Sequence, residues 1–462
     1  MNELLKLCGY REQELESELP RVEKAFNKLG ITDEDIVQGK QRLTKYFDTE
    51  LKGIRKGLRL CVREFVNSVL AREDGKKKVL TGFMAPGFDV IGSAAVSHSK
   101  EVFSAHQSWA ILLVVGRIFD KMVPVLEAAE KEWLKAGVVA HCANVKAILG
   151  PITLGLIPKP DLLVSSGYLC EVAPKTLDLF HELYDIPVFS YDSCLDSDLS
   201  TDYDASKRTA VLAAKNMRKL VERIQEIVGF EITDDMIWEV INARTELQTT
   251  SLKIRRLVES SDPLPISTIN DSVWSCLGTL TLSIDETAEA VDAIHTYYEE
   301  LQERVDKGLG VVEKGAPRIL TYCPGGTNPI PEHYITELGI AIVGSSFGLV
   351  VPQPYEEEFK DPYLVMAMGR QRMNINQNLR ERAAMMIEAC KRLKVDGVLD
   401  RYHVGCRALA GDALVLESAI KKELGIPVLL LEWEDFDPRV YNQDDYERRL
   451  EVFKEMMTGR SA

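Results

Sequence analysis

Short apolar runs alternate with helical stretches in two separate blocks of this sequence, and that alternation limits the folds open to the chain. The runs read as strands because they are short, apolar and bounded by turn residues. Strands separated by helices form parallel, doubly wound sheets. We therefore predict an α/β protein with two Rossmann-like domains. The predicted strands are 78–83, 138–140, 162–164 and 188–191 in the first block, then 318–322, 340–344, 397–399 and 428–431 in the second.

Helical patterns fill the rest of the chain. Apolar residues at helical spacing in the first 75 residues, from Leu43 to Leu58, predict an N-terminal helical arm that wraps a neighbouring domain or a second subunit. Residues 206–307 are almost entirely helical in pattern, and a last amphipathic helix fits 444–457. We expect an arm at 1–75, a first α/β domain at 76–203, a helical domain at 204–312 and a second α/β domain at 313–462.

Charge and hydropathy exclude several classes of partner. The 462 residues carry a net charge of −15, whereas nucleic acids and anionic membranes require a basic face. No apolar run approaches the roughly 20 residues that cross a bilayer, and the first residues lack the apolar core of a signal peptide. We expect a cytoplasmic protein that binds neither nucleic acid nor membrane.

Three of the nine cysteines lie just past strand-like runs, where the chain turns into a helix. They are Cys142, Cys170 and Cys406. Ligands bind at the carboxyl ends of the strands in open α/β sheets. Three thiols gathered there would hold three corners of an iron–sulfur cluster and leave the fourth iron free. Four other cysteines lie in helical segments and are expected to be packing residues: Cys8, Cys61, Cys276 and Cys390.

Spacing alone leaves a second interpretation open, because the chain has no Cys-x-x-Cys run of the ferredoxin type and the three cysteines could simply be buried thiols. The surrounding loops favour a site. Gly405 permits close backbone approach, and Ser166 stands in a run of small residues with free amides. His403 and Arg407 are candidates for positive charge near an anionic cluster or thioester, although Arg407 fits a solvated side chain equally well.

Other candidate sites are weaker. A glycine-rich turn at 321–326 lacks the spacing of nucleotide-binding loops, so a plain turn is expected, with Cys323 near the cleft. His141 and Cys142 point to opposite faces of an extended chain and are poorly placed as a zinc pair. The acidic run 432–437 is interpreted as a capping loop rather than a cation site.

The three cysteine segments resemble those of the 2-hydroxyacyl-CoA dehydratase family, which includes the ATP-dependent benzoyl-CoA reductases. The matching features are His-Cys142-Ala-Asn-Val-Lys, the segment Val-Ser-Ser-Gly-Tyr-Leu-Cys170 with a helix and Asp-Ile-Pro187, and Gly-Cys406-Arg with a helix and Gly-Ile-Pro427. The tail Asp437-Pro-Arg439 is also similar to the family. Length and spacing are closest to the larger subunit type of the dehydratases, the D-component.

The resemblance implies a function. In that family two related subunits each hold a 4Fe–4S cluster through three cysteines, and an ATP-hydrolysing activator supplies one low-potential electron. A radical of the acyl-CoA then loses its 2-hydroxyl group as water. The ligands implied here are Cys142, Cys170 and Cys406, with Ser166, His403 and Arg407 as candidates around them. The implied protein is an oxygen-sensitive lyase of anaerobes that works with an acyl-CoA substrate, the activator and a homologous second subunit or a second copy of itself.

Two departures limit what the resemblance implies. Where the family has a Cys-Thr-Tyr-Val-Pro-like segment near the first strand, this chain reads Gly82-Phe-Met-Ala-Pro86. No extra cysteine stands between the first two ligands, which disfavours a double-cubane cluster, although Cys194 or Cys323 remain possible contributors. A benzoyl-CoA-type reductase subunit, a non-catalytic electron-relay partner and a cluster-free relative stay as alternatives.

Overall fold

The computed structural model describes residues 1–106, 109–137, 142–167, 170–192, 197–199, 202–322, 326–350, 360–403, 405–434 and 436–459, with backbone alone at 407 and 408. Within these ranges the strands form two four-stranded parallel sheets. The predicted α/β fold with two Rossmann-like domains is confirmed. The strands are β1 (Lys78–Phe83), β2 (Val102–His106), β3 (Leu162–Ser166), β4 (Val188–Tyr191), β5 (Arg318–Thr321), β6 (Ala341–Ser345), β7 (Gly397–His403) and β8 (Val428–Trp433).

The two sheets share one topology. The strand order is β2-β1-β3-β4 in the first sheet and β6-β5-β7-β8 in the second. The strand before Cys170 is β3 and the strand before Cys406 is β7, so both cysteines follow the third strand of their sheet. Because all strands run parallel, both cysteines leave the sheets at the carboxyl edge.

Sequence pattern located seven of the eight described strands and missed β2. The sequence of β2, Val-Phe-Ser-Ala-His, is short and carries two polar residues, yet all five residues are buried. The strand β7 extends four residues beyond the predicted end at 399. Asp400, Arg401 and His403, which are polar or ionisable, lie in this extension and are buried. The predicted strand at 138–140 lies outside the described residues.

Helices surround both sheets and fill the expected helical block. Four α-helices between Tyr203 and Asp306 occupy that block in the described part of the chain. A seven-residue π-helix at Leu112–Ile118 follows the short helix Trp109–Ile111. No described helix is both long and apolar enough to span a membrane. The helices are α1 (Asn2–Leu7), α2 (Glu12–Leu29), α3 (Asp33–Tyr46), α4 (Lys52–Leu70), α5 (Phe88–His98), α6 (Trp109–Ile111), α7 (Met122–Lys135), α8 (Ala143–Thr153), α9 (Val172–Tyr184), α10 (Tyr203–Val228), α11 (Asp234–Ser260), α12 (Asp271–Thr279), α13 (Ile284–Asp306), α14 (Ile330–Glu337), α15 (Pro362–Gln371), α16 (Leu379–Leu393), α17 (Arg407–Ala410), α18 (Ala413–Leu424) and α19 (Gln443–Thr458).

The N-terminal helices pack on the helical block of the same chain. The tightest contact is at Gly53 in α4, where a Cβ atom would lie 2.4 Å from the Cβ of Tyr297 in α13. The amides of Lys52 and Gly53 each donate to the Glu300 carboxylate at 2.9 Å. Only a residue without a side chain allows the two helix backbones to approach this closely.

A buried ion pair joins the π-helix to the second α/β block. The Arg117 guanidinium lies 3.0 Å from the Glu332 carboxylate in α14 and donates to the Gly326 carbonyl at 2.7 Å. Both side chains are almost fully buried. Removing one partner of such a pair costs about 3–5 kcal/mol, since the other charge stays buried and uncompensated. This contact connects the π-helix of the first block to α14 in the second block.

Candidate functional site

Each of the three predicted ligands stands immediately before a helix. Cys142 is the N-cap of α8, Cys170 lies two residues before α9, and Cys406 directly precedes α17. All three are partly exposed, whereas Cys8, Cys61, Cys276 and Cys390 are buried. The expectation that those four are packing residues agrees with their burial. Partial exposure distinguishes Cys142, Cys170 and Cys406 from them.

The three thiols are electrostatic neighbours. Burial raises the pKa of Cys142 to about 12, with smaller contributions from the nearby Cys170, Glu434 and Cys406. Burial also raises the pKa of Cys170, with Cys406 among the contributing groups. Like charges are costly at such short range in a partly desolvated site. As thiolates, these groups need positive charge or hydrogen-bond donors beside them.

Backbone amides lie close to two of the thiols. They belong to Val145 beside Cys142 and to Val172 and Ala173 beside Cys170, and each lowers the pKa of its thiol against the larger rise caused by burial. Each of these amides lies in the first turn of its helix, where N–H groups have no partner within the helix. Amides in this position favour the thiolate over the thiol.

A close backbone contact joins the two sheets at the site. A Cβ atom at Gly405 would lie 2.7 Å from the Cβ of Cys142 and 3.3 Å from the Glu434 carboxylate. Real Cβ atoms do not approach this closely, so the contact requires glycine. Gly405 therefore lets the Cys406 loop of the second sheet reach Cys142 beside the first.

The donor set suits a cluster better than a single ion. Among the described residues, no group of three His, Cys, Asp or Glu side chains is placed to hold one metal ion. In a 4Fe–4S cluster each thiolate binds a different iron, so the sulfurs need not converge on one point. Three cysteines, backbone amides close to two of them and the tight approach at Gly405 fit that group.

His403 and Glu434 form a buried pair beside the cysteines. The Nε2 atom of His403 lies 3.0 Å from Glu434 Oε1, while the Gly405 amide donates to Nδ1 at 3.2 Å. Because Nδ1 accepts a hydrogen bond from Gly405, we assign the ring proton to Nε2, the nitrogen beside the carboxylate. The His403 ring also packs against Phe436, and the two ring centroids are 5.8 Å apart. His403 therefore lies beside Glu434, a contact that the sequence did not suggest.

The remaining predicted residues occupy varied positions. The Ser166 hydroxyl donates to the Met84 carbonyl at 2.6 Å and holds the loop after β1. Arg407 is the first residue of α17, and its side chain lies outside the described part of the chain. His141, Cys194 and Cys323 also fall outside the described residues.

A charged network that sequence reasoning missed crosses between the two halves next to Cys142. Lys146, in the first turn of α8, lies 2.8 Å from Glu130, and Arg439 contacts Glu130 through both terminal nitrogens at 3.1 and 2.7 Å. Arg439 also pairs with Asp437 at 2.6 Å. Asp437 accepts from the Arg439 amide and so caps the turn, in agreement with the interpretation of the acidic run. Glu130 gave no sequence signal because its partners are far away in the chain.

Two parallel sheets of the same strand order, with neighbouring cysteines from segments far apart in the chain, define a class of α/β proteins with a thiol-rich site. Comparison with family models narrows this class. Residues 112–457 match the family of the 2-hydroxyglutaryl-CoA dehydratase D-component. That span is well over half of the chain, so the chain belongs to this family, and the resemblance noted in the sequence is confirmed.

Characterised relatives are distant. The chain is 21% identical over 310 residues to the (R)-phenyllactyl-CoA dehydratase alpha subunit of Clostridium sporogenes, covering 66% of this chain and 72% of that protein. It is 20% identical over 312 residues to the lactoyl-CoA dehydratase subunit alpha of Anaerotignum propionicum, covering 66% and 71%. The (R)-2-hydroxyglutaryl-CoA dehydratase subunit alpha of Acidaminococcus fermentans is also 20% identical, with 65% and 61% covered.

The Glu130 network predicts an acid-sensitive contribution to stability. Hydrogen bonds from Arg439, together with Lys146, hold the pKa of Glu130 at about 2, below its ordinary value of 4.5. A lowered folded-state pKa stabilises the protein above the unfolded value, and this stabilisation disappears as the pH falls towards 2. We expect Glu130→Gln to lower the melting temperature at neutral pH, with the difference from wild type shrinking between about pH 5 and pH 2.

A matched control is Glu127→Gln, an exposed position on the same helix. It should shift the melting temperature little at any pH. An equal loss in the two variants, or a Glu130→Gln difference that does not change with pH, would show that the network contributes nothing.

Proposed function

We propose that this chain is the iron–sulfur subunit of a 2-hydroxyacyl-CoA dehydratase, with Cys142, Cys170 and Cys406 as the ligands of a 4Fe–4S cluster. One observation carries the proposal. Three partly exposed cysteines are electrostatic neighbours, and two of them follow strands of different sheets. The site would lie in a cleft between α/β domains at 76–203 and 313–462.

When bound, such a cluster supplies one-electron chemistry and an iron with a free coordination position that acts as a Lewis acid. The residues of this chain prepare that site. The amides of Val145, Val172 and Ala173 lie close to two sulfurs and would offset their charge as thiolates. Phe436 packs between Trp109, at 6.2 Å, and His403. His403 lies 3.0 Å from the Glu434 carboxylate, which is close to Gly405 and Cys142.

Substrate and partners follow from the family. The relatives are named as alpha subunits of dehydratases that act on 2-hydroxyacyl-CoA thioesters. We therefore propose an acyl-CoA substrate of this class and a homologous second subunit. An ATP-hydrolysing activator is proposed as the electron donor, because elimination from an unactivated position needs an electron that neither subunit generates.

The ligand assignment predicts the iron content of the protein. After anaerobic reconstitution the wild-type chain should bind about four irons. Cys142→Ala, Cys170→Ala and Cys406→Ala should each lose most of that iron and the associated visible absorption. Cys390→Ala, at a buried cysteine of α16, is the matched control and should bind as much iron as wild type.

A colourless wild-type protein, or three ligand variants that keep their iron, would contradict the assignment. The same preparations, mixed with a family activator, ATP and a second subunit, should dehydrate a 2-hydroxyacyl-CoA. Reduction of an aromatic acyl-CoA without any dehydration would contradict the dehydratase proposal while leaving the cluster intact.

The close approach of Gly405 to Cys142 predicts that a substitution at Gly405 weakens cluster binding although every proposed ligand is kept. In Gly405→Ala the new methyl group would lie 2.7 Å from the Cβ of Cys142, so the two loops must separate. We expect lower iron content and faster cluster loss in air, with an unchanged circular dichroism spectrum. Gly369→Ala is the control, since a Cβ at this helical position meets nothing within 4 Å. Iron content equal to the control would show that the contact is not part of the site.

A further inference from the structure

A small cavity lies between the helical block and the second α/β block. Its volume is about 320 Å³, near the lower end of the range of roughly 300–1,000 Å³ for small-molecule sites. One wall is a face of α11 from Arg244 to Arg255, and the second block contributes Phe347, Val350 and Met373. The cavity is therefore large enough for a short organic group and too small for a whole coenzyme.

This cavity lies at the same edge of the second sheet as Cys406. Phe347 belongs to the turn that directly follows β6, and Cys406 follows β7. The strand order places only β5 between these two strands. Neighbouring strands are about 4.8 Å apart, so the two strand ends are separated by roughly 10 Å. A ligand bound beside Cys406 is close enough to extend a short group into the cavity.

Most of the lining is apolar, and none of the lining residues is acidic. Leu247 of α11, Trp274 of α12 and Ile294 of α13 form the apolar wall on the side of the helical block. The two charged lining residues are both arginines, Arg244 and Arg255, about 16 Å apart along α11. This combination suits an apolar group that carries a negative charge.

The two arginines differ in their partners. Arg244 lies 3.5 Å from the Asp89 carboxylate and donates to the Gly278 carbonyl at 3.0 Å. Arg255 is mostly buried and donates to the Gly348 carbonyl, but it forms no ion pair with any described carboxylate. A guanidinium that is largely removed from water without a counter-charge is costly. The charge of Arg244 is compensated within the protein, whereas that of Arg255 is not.

Two acids are near enough to act on the charge of Arg255, and neither neutralises it. They are Glu259 and Asp271. Glu259 is bound by Arg392 at 2.6 Å, and Arg392 itself adds positive charge near Arg255. Burial, together with Glu332, raises the pKa of Asp271 to about 7, so this carboxyl group is only about half ionised at neutral pH. An anion in the cavity would supply the missing charge.

The donors beside this charge suit a carboxylate better than a phosphate. Ser251 lines the cavity one helical turn before Arg255, so the two side chains lie on the same face of α11. A planar guanidinium and a hydroxyl match the two oxygens of a carboxylate. A phosphate has more oxygens and a higher charge, and the apolar remainder of the lining offers it no further cation near Arg255.

We propose that this cavity binds the far end of the acyl group of the substrate, and that this end is a carboxylate held by Arg255. The inference rests on the proposed function, since it takes the ligand beside the cysteines to be an acyl-CoA. The apolar wall encloses the methylene groups between the thioester and the carboxylate. Arg255 is then the residue that favours a 2-hydroxyacyl group ending in a carboxylate over one ending in a methyl or phenyl group.

Binding without turnover tests the inference. The anaerobically reconstituted chain, without activator or ATP, is titrated by calorimetry with glutaryl-CoA, with the analogue whose terminal carboxylate is replaced by an amide, and with coenzyme A alone. The amide analogue has the same shape but no terminal charge. We expect the wild-type chain to bind glutaryl-CoA about tenfold more tightly than the amide analogue, or better. This comparison requires no variant.

Substitutions assign the preference to one residue. Arg255→Met should weaken glutaryl-CoA about tenfold and leave the amide analogue and coenzyme A unchanged. Arg255→Lys keeps a positive charge and should retain part of the preference. Arg256→Met, at the exposed neighbouring position of α11, is the matched control and should bind all three probes as wild type does.

Three results would overturn the inference. They are equal wild-type affinity for glutaryl-CoA and its amide analogue, a preference that survives in Arg255→Met, and an Arg255→Met loss that is equal for all three probes, which would assign Arg255 to a phosphate of coenzyme A. Dehydration of acyl-CoA substrates without any charge preference would contradict this inference and leave the proposed function intact. Failure to bind either thioester would instead contradict the proposed function.

Discussion

The close approach of Gly405 to Cys142 is the contact on which the candidate site depends. Gly405 belongs to the loop after β7 in the second sheet, and Cys142 caps a helix packed beside the first sheet. A single methyl group between them would force the loops apart. Three cysteines widely separated in the sequence are neighbours here, and Cys170 and Cys406 each follow the third strand of a sheet with the same strand order.

Holding those edges together requires interactions outside the site. The buried Arg117–Glu332 pair connects the π-helix to α14, and the Lys146–Glu130–Arg439 network connects α7 and α8 to the segment after β8. Exposed ion pairs contribute little to stability, whereas breaking a buried pair costs several kcal/mol, about 3–5. We therefore expect the loss of Arg117 to destabilise the protein more than the loss of Glu130. Phe436 adds an apolar contact between Trp109 and His403. Arg117, Glu130 and Phe436 therefore connect the segments that carry the cysteines, although none of the three is a proposed ligand.

Local sequence patterns predicted most of the strands, because a buried parallel strand is a short apolar run that can be recognised from its own residues. The strand β2 escaped prediction because its Ser104 and His106 are buried despite being polar. The end of β7 escaped because Arg401 and His403 find acidic partners, Glu332 and Glu434, that are not adjacent in sequence. Such ion pairs form only in the tertiary structure, and neither secondary-structure propensity nor hydrophobic periodicity predicts them.

The same distinction applies to the site. Cys170 and Cys406 could be chosen as candidates from the strands before them, and Cys142 from the strand-like run before it, because ligands bind at the carboxyl ends of parallel strands. Glu434, Glu130 and Lys146 could not be chosen, since their contacts join segments that are far apart in the sequence.

The most direct test of the central claim is Mössbauer spectroscopy of the chain reconstituted anaerobically with iron-57. A cluster held by Cys142, Cys170 and Cys406 should give about four irons per chain, of which one differs from the other three because it lacks a cysteine ligand. Absence of a cluster spectrum, or a spectrum that persists unchanged when Cys406 is replaced by alanine, would contradict the claim.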